Sequence, residues 1–238
     1  MSGPSLDNNE VQNVRERYDR RRTSLACGAY SMLNPAVYMG VQERERALIG
    51  CLKKVGMTNF QDETVLEVGC GSGSNLLEMI RLGFEPRNLV GNELLEERVT
   101  IARERLPASL HIIAGDATTL VLPENSFDIV YQSTVFTSIL DCDFQQKLAD
   151  KMWSLVKPGG GVLWYDFTYD NPRNLDVKGI PVKRIKELFP YGEIKIWRVT
   201  LAPPISRRVV RLHPGLYTLF NSLSFLRTHV LCWIKKVG

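Results

Sequence analysis

The chain has 238 residues and a net charge of +4, set by 30 basic and 26 acidic side chains, with 44% hydrophobic and 24% charged residues. This usage is that of an ordinary globular protein and excludes a disordered chain, and the near balance of charge argues against a nucleic-acid partner. The length suits one α/β domain with a small appendage.

Residues 1–10 are polar and expected to fray. The N-terminus has no apolar h-region of a secretory leader, and no run of about 18 apolar residues predicts a transmembrane helix. The cysteines Cys27, Cys51, Cys70, Cys142 and Cys232 are odd in number, far apart and without a CxxC pair. A reduced, cytoplasmic chain with neither a disulfide framework nor a metal site is the expectation. Residues 11–40 read as short helices and loops, with Val11, Val14 and Tyr18 at helical spacing and an aromatic stretch through Tyr30 and Tyr38. From Val41, the stripe Leu48, Cys51, Leu52 and Val55 predicts a helix ending near Gly56.

Strands and helices then alternate. TVLEVGC (64–70) is a buried strand by composition. Ser74 to Leu82 reads as a helix stopped by Gly83. NLVGNE (88–93) is a second strand. Leu95, Val99, Ala102 and Leu106 mark a helix that Pro107 ends. LHIIAGD (110–116) and FDIVYQS (127–133) are strands three and four. Phe144, Leu148, Met152 and Leu155 give a helix closed by Pro158 and its glycines, and GVLWYDF (161–167) is strand five. Val182, Ile185, Leu188 and Phe189 suggest a short helix. EIKIWRVTL (193–201) and THVLCWIKK (228–236) alternate like the last two strands of a sheet. Pro214 to Leu226, between them, has a helical stripe.

This order predicts a doubly wound α/β fold. Its sheet is seven-stranded and mostly parallel, with helices on both faces and an antiparallel final strand. An N-terminal helical lid (1–40) precedes the domain (41–238), which carries a helical insertion (203–227) before the last strand. Ligands of such sheets bind at the carboxyl ends of the strands, near the switch in strand order. The candidate motifs all fall there.

The strongest is Glu67-Val68-Gly69-Cys70-Gly71-Ser72-Gly73, where the first strand turns into a helix. Gly69, Gly71 and Gly73 let the backbone turn sharply and approach a ligand. A plain tight turn is one alternative. A dinucleotide loop is another, but its spacing asks for a small residue at Ser74 or Leu76, and the fit is poor. Glu67 is a carboxylate inside an apolar strand and needs a partner, which a cationic ligand or a water can supply. Glu93, 20 residues past Gly73, can accept hydrogen bonds from both ribose hydroxyls of an adenosine. Asp116, in Gly115-Asp116-Ala117, can accept from an adenine amino group or simply form a turn. Gln132 and Ser133 reach the carboxyl end of the fourth strand.

Together, VLEVGCGSG, GNE, GDA, FDIVYQS and LVKPGGGVLWYDF resemble the S-adenosylmethionine-dependent methyltransferases of the Rossmann-like class I, in the type 11 branch, over roughly residues 41–168. The resemblance implies that Gly69, Gly71 and Gly73 line the methionine portion of the cofactor and that Glu67 holds its ammonium end. It implies that Glu93 takes the ribose hydroxyls, that Asp116 and the Ala117 backbone flank adenine, and that Gln132 faces the sulfonium region through its backbone. Glu93 departs mildly from the aspartate common there.

The resemblance further implies in-line attack by an acceptor, with a general base only if the acceptor must lose a proton. Asp166 and His213 are the candidate bases, each weighed against a structural role. His111 and His229 read as structural. The aromatics of the variable segments suit a small-molecule or glycan-type acceptor at O or N, with an RNA or protein acceptor as the alternative. Arg207, Arg208 and Arg211 read as a solvated basic face, an anion-recognition site, or a peripheral contact with an anionic membrane.

Overall fold

The computed structural model describes residues 6–24, 31–172 and 174–238. Cys27 and Tyr30 lie outside these described residues. Seven strands form one sheet: β1 (Val65–Val68), β2 (Leu89–Glu93), β3 (His111–Ala114), β4 (Phe127–Ser133), β5 (Val156–Phe167), β6 (Gly192–Leu201) and β7 (Arg227–Lys236). Their order is β3-β2-β1-β4-β5-β7-β6. Strands β1 to β5 pair in parallel, and β7 is antiparallel to both β5 and β6. Thus β6 runs in the same direction as β1. The winding reverses between β1 and β4, which opens a crevice at their carboxyl ends.

The helices are α1 (Leu6–Ser24), α2 (Pro35–Lys54), α3 (Ser74–Leu82), α4 (Glu96–Arg105), α5 (Cys142–Leu155), α6 (Val182–Leu188), α7 (Pro203–Leu212) and α8 (Gly215–Asn221). Local chemistry sets several ends. Asn34 Oδ1 accepts from Ala36 N at 3.0 Å and Pro35 opens α2, since the first helical turn lacks internal acceptors for its N–H groups. Asp141 Oδ1 accepts from Phe144 N at 2.8 Å to cap α5. Gly83, at φ 107°, ends α3 in the left-handed conformation that glycine adopts without strain.

One face of the sheet is packed by Leu52 of α2, Leu76 of α3 and Val99 of α4 over Ile129, Leu163 and Leu231. The other face sets Met152 of α5, Ile185 of α6 and Val14 of α1 over Leu66, Val130 and Trp164. Val65 and Leu66 are both fully buried on opposite faces of β1, which is why that strand reads as an unbroken apolar run.

Four boundaries differ from the sequence reading. Residues expected to fray or to form short helices and loops instead make the single long helix α1 from Leu6 to Ser24, which hydrogen bonds of the buried Glu10 tie to the body of the protein. Strand β5 begins at Val156 rather than at residue 161, because Val156 already pairs with Phe127 before the register slips to Ile129 opposite Gly161. The slip is a bulge: Gly159 has φ 86°, and a Cβ on Gly160 would lie 2.6 Å from the Asp128 carbonyl oxygen. The late insertion is two helices, not one, and its arginines lie on α7 rather than before a helix; Pro203 and Pro204 start α7 and Pro214 separates it from α8. Helix α2 starts at Pro35, so residues 40 and 41 lie within one helix. Its first turns share a third small cluster with the insertion, built on Ala36, Leu201, Val209, Val210 and Tyr217.

Candidate active site

The turn from β1 into α3 carries Gly69, Gly71 and Gly73 at φ 66°, 57° and 82°. Packing distinguishes them. A Cβ on Gly69 would come within 2.5 Å of Val135 Cγ2, and one on Gly73 within 2.6 Å of Leu106 Cδ1. On Gly71 it would meet nothing within 4 Å. Gly69 and Gly73 therefore let neighbouring side chains close in, whereas Gly71 presents bare backbone to open space, as a close ligand requires.

Glu67 is fully buried. Its Oε1 accepts from Asn75 Nδ2 at 2.6 Å, and its Oε2 has no partner among the described residues. Burial pushes its pKa up to about 8, against the opposing pull of the Asn75 hydrogen bond and of Arg44. A buried carboxylate with a vacant oxygen is costly unless something cationic or hydrogen-bonding meets it.

Glu93 braces two chain segments: Oε2 accepts from Gly71 N at 2.8 Å and Oε1 from Leu95 N at 2.9 Å. Each carboxylate oxygen has a second lone pair, so both remain able to accept from hydroxyls. Asp116 takes Thr118 N at 2.9 Å and Thr118 Oγ1 at 2.7 Å, which folds Ala117–Thr119 into a 3-10 turn. The buried Gln132 accepts from Val135 N at 3.1 Å and donates to the Tyr165 carbonyl at 3.4 Å, so its side chain secures the loop after β4.

Val68, Gly69, Asn92, Glu93, Asp116 and Ala117 border one cleft, with Val135, Ile139 and Leu148 as apolar walls. Helix α1 roofs it with Val11, Val14 and Tyr18. The roof is fastened by buried polar groups. Arg17 Nη1 lies 2.7 Å from Glu10 Oε1 and donates to the Ser138 carbonyl at 3.1 Å, while Glu10 Oε1 accepts from Leu140 N at 2.8 Å. The Arg17 and Leu140 hydrogen bonds hold the Glu10 pKa below the usual carboxylate value despite burial.

The remaining candidates separate. Asp166 is fully buried, accepting from Thr137 N at 3.3 Å and Phe167 N at 3.0 Å, with its pKa raised to about 7 by burial. It ties the loop after β4 to β5. His213 is exposed at the end of α7, where its Nδ1 accepts from Gly215 N at 3.1 Å. It closes a turn in the helix pair beside β6 and is not brought to the glycine turn.

A second polar cluster is joined to Glu67 through Asn75. Arg44 of α2 donates to Asn75 Oδ1 at 2.9 Å and Glu78 Oε2 at 3.1 Å, with its guanidinium 5.4 Å from the centre of the Tyr165 ring. Tyr165 Oη lies 2.9 Å from Thr200 Oγ1, and Glu43 Oε2 accepts from Thr200 N at 3.0 Å. His229 stacks on Tyr165 with ring centres 5.2 Å apart. Removal from water, aided by nearby Arg44, lowers its pKa to about 4 and keeps it neutral at pH 7. Sequence reasoning missed Arg44, Asn75 and Thr200 and gave His229 a bland role. Arg44 sits in VQERERAL, where helical spacing reads as a solvated charged face, and no local signal separates a half-buried arginine from an exposed one. Two β-branched residues, Thr134 after β4 and Thr200 in β6, have φ 59° and 63°. Such residues avoid this region, and strain of this kind gathers at functional sites.

Residues 65–160 match a family model described as a methyltransferase domain. Over 118 residues the chain is 34% identical to sterol 24-C-methyltransferase erg6 of Aspergillus fumigatus, covering 45% of this chain and 29% of that protein. Over 111 residues it is 29% identical to tRNA N(3)-cytidine methyltransferase METTL2 of Gallus gallus, covering 43% of this chain and 30% of that protein. The chain thus spans less than a third of the length of these relatives. Among solved structures, phosphoethanolamine N-methyltransferase 2 of Haemonchus contortus in complex with S-adenosyl-L-methionine shares the fold with a TM-score of 0.58 at 18% identity, covering 80% of this chain and 52% of that one.

Residues 65–160 thus match a methyltransferase domain, on a sheet of Rossmann-like topology. Among the described residues, no helix is long and apolar enough to cross a membrane.

Proposed function

We propose that this protein transfers the methyl group of S-adenosylmethionine to an oxygen or nitrogen of a small-molecule or glycan-type acceptor. The observations that carry the cofactor half are the Oε2 of buried Glu67, without a hydrogen-bond partner among the described residues, and the open face of Gly71, four residues further along the same turn. The cofactor supplies an electrophilic methyl group on a cationic sulfur. In this reading Glu67 meets the ammonium group, and Gly71 admits the methionine portion, with Gly69 and Gly73 shaping the turn. Glu93 takes the ribose hydroxyls, Asp116 and the Ala117 backbone flank adenine, and the Gln132 backbone faces the sulfonium.

The acceptor half is assigned to the neighbouring cluster of Tyr165, Thr200 and His229. Rings and hydroxyls suit a polyhydroxylated or aromatic acceptor, and His229, held neutral, serves as a hydrogen-bonding and stacking group rather than as a base. Asp166 acts as a positioning residue through Thr137, and His213 has no part in the chemistry. Methyl transfer relies mainly on holding the acceptor in line. Helix α1 closes the cofactor cleft, and residues 31–40 and 203–227 form the rim through which the acceptor enters.

Calorimetry tests the cofactor reading: S-adenosylhomocysteine should bind and NAD should not. Labelled methyl transfer to glycan and small-molecule pools, run beside tRNA, tests the acceptor. A second reading, an RNA acceptor, draws on the name of the METTL2 relative. Label in tRNA together with steeply salt-dependent RNA binding would establish it in place of the first.

A further inference from the structure

The positive charge of this chain is concentrated at one end. Residues 194–238 contain 8 Lys and Arg and no Asp or Glu, so the rest of the chain is net negative. Within that end, Arg207, Arg208 and Arg211 lie on the exposed face of α7, opposite the buried Ser206, Val209 and Val210. None of the three forms an ion pair among the described residues. The same helix pair and the 3-10 turn that follows it (Ser224–Leu226) expose large apolar side chains: Leu212 is 81% accessible, Leu219 63% and Phe225 74%. Isolated exposed apolar residues need no explanation, but several beside an unpaired basic stripe mark an interaction surface.

We infer that the exposed face of α7 and α8 docks on an anionic lipid surface. Charge and hydrophobicity occur together there, as a helix lying in a membrane interface requires. An RNA partner would use the arginines but gain little from exposed leucines, because base recognition uses aromatic stacking and hydrogen bonds. The placement also suits the fold. Helix α7 leaves the carboxyl end of β6, which runs parallel to β1, so the face lies on the same rim as the glycine turn. It is four strand spacings away, about 19 Å. Docking by this face would leave the cleft at the edge of the bilayer rather than blocked by it. The inference does not depend on the methyl-transfer reading.

The test is co-sedimentation of the full chain with vesicles of phosphatidylcholine alone, or of phosphatidylcholine with one-third phosphatidylglycerol. Binding is expected only to the anionic vesicles, and it should weaken in 0.5 M salt. An arginine near such a surface contributes about a fivefold factor in partitioning. Replacing Arg207, Arg208 and Arg211 together by alanine should therefore cost on the order of a hundredfold. Leu219→Ser with Phe225→Ser should weaken binding as well. Both variants should keep wild-type affinity for S-adenosylhomocysteine, which separates a lost docking face from a lost fold or cofactor site. Absence of vesicle binding overturns the inference, as does binding that the arginine variant retains. Retention of RNA without vesicle binding assigns the face to nucleic acid. A dimer that the Leu219/Phe225 variant dissolves, again without vesicle binding, assigns it to a second copy.

Discussion

Replacing Glu67 by glutamine should stabilise the free protein and weaken its hold on the cofactor. The glutamine carbonyl can still accept from Asn75, and Arg44 keeps Glu78 as its partner, so the change removes a buried charge without stranding a neighbour. Burial raises the Glu67 pKa from 4.5 to about 8. Between those values the folded protein holds a proton that the unfolded chain has released. The contribution is therefore present below pH 4.5 and lost as pH rises toward 8. At about 1.4 kcal/mol per pH unit, the loss reaches about 5 kcal/mol at most by pH 8. Denaturant titrations at pH 5, 6.5 and 8 should show wild type and variant nearly equal at pH 5, with the variant ahead by a few kcal/mol at pH 8. Removing a charged acceptor from the bound ammonium costs about 1.5–3 kcal/mol, so S-adenosylhomocysteine should bind roughly tenfold to hundredfold more weakly. A variant that is less stable at pH 8, or that binds as tightly as wild type, refutes the assignment of Glu67 as a strained site awaiting a cation.

Four further outcomes are expected. Gly71→Val should abolish measurable S-adenosylhomocysteine binding by calorimetry; its Cβ meets no described protein atom within 4 Å, but φ 57° strains a β-branched residue, so stability should also fall by about 1–3 kcal/mol while the far-ultraviolet spectrum shows a folded chain. Glu93→Ala should weaken cofactor binding tenfold or more and also lower stability by about 1–3 kcal/mol, since Gly71 N and Leu95 N lose their acceptor; unchanged affinity in a titration would make Glu93 purely structural. His229, with its pKa lowered to about 4, binds a proton in the unfolded chain before it does in the folded one. Stability should thus fall as pH drops from about 6.5 to 4, by about 3 kcal/mol at most, and acid-limb denaturation of His229→Phe should lack that slope. Deleting residues 1–24 should reduce turnover more than cofactor affinity, and hydrogen exchange in α1 should slow on cofactor binding; a truncated protein with normal turnover refutes the roof assignment.

The parts legible in the sequence were those that local pattern dictates. Strands such as Val65–Val68 and Phe127–Ser133 are buried on both faces, so composition alone reveals them, and the glycine turn and Glu93 lie at spacings that only the strand–turn–helix geometry explains. What escaped was decided at long range. The start of β5 depends on a bulge against Asp128, and the burial of Arg44 depends on α3 and Tyr165 arriving from elsewhere in the chain. Pro214 offered a signal for two helices in the insertion, but the Leu216 and Leu219 stripe beyond it drew attention from the equally amphipathic residues before it.

The loop from Thr134 to Asp141 links the cofactor cleft to both of its neighbours. Val135 presses on Gly69, so the backbone of the glycine turn cannot shift without it. Gln132 holds Val135 from β4, Asp166 holds Thr137 from β5, and Glu10 of α1 holds Leu140. Each of these three acceptors is buried, and a buried acceptor that loses its donor costs more than an exposed one. Movement of α1 away from the cleft would therefore strip Leu140 N of its acceptor and the Ser138 carbonyl of its Arg17 donor, while the Arg17–Glu10 pair travels with the helix, which favours α1 docked. A ligand that fills the cleft beneath Val14 and Tyr18 adds contact area only in that docked state. Cofactor binding and α1 closure should then strengthen each other through this one loop, without any rearrangement of the sheet.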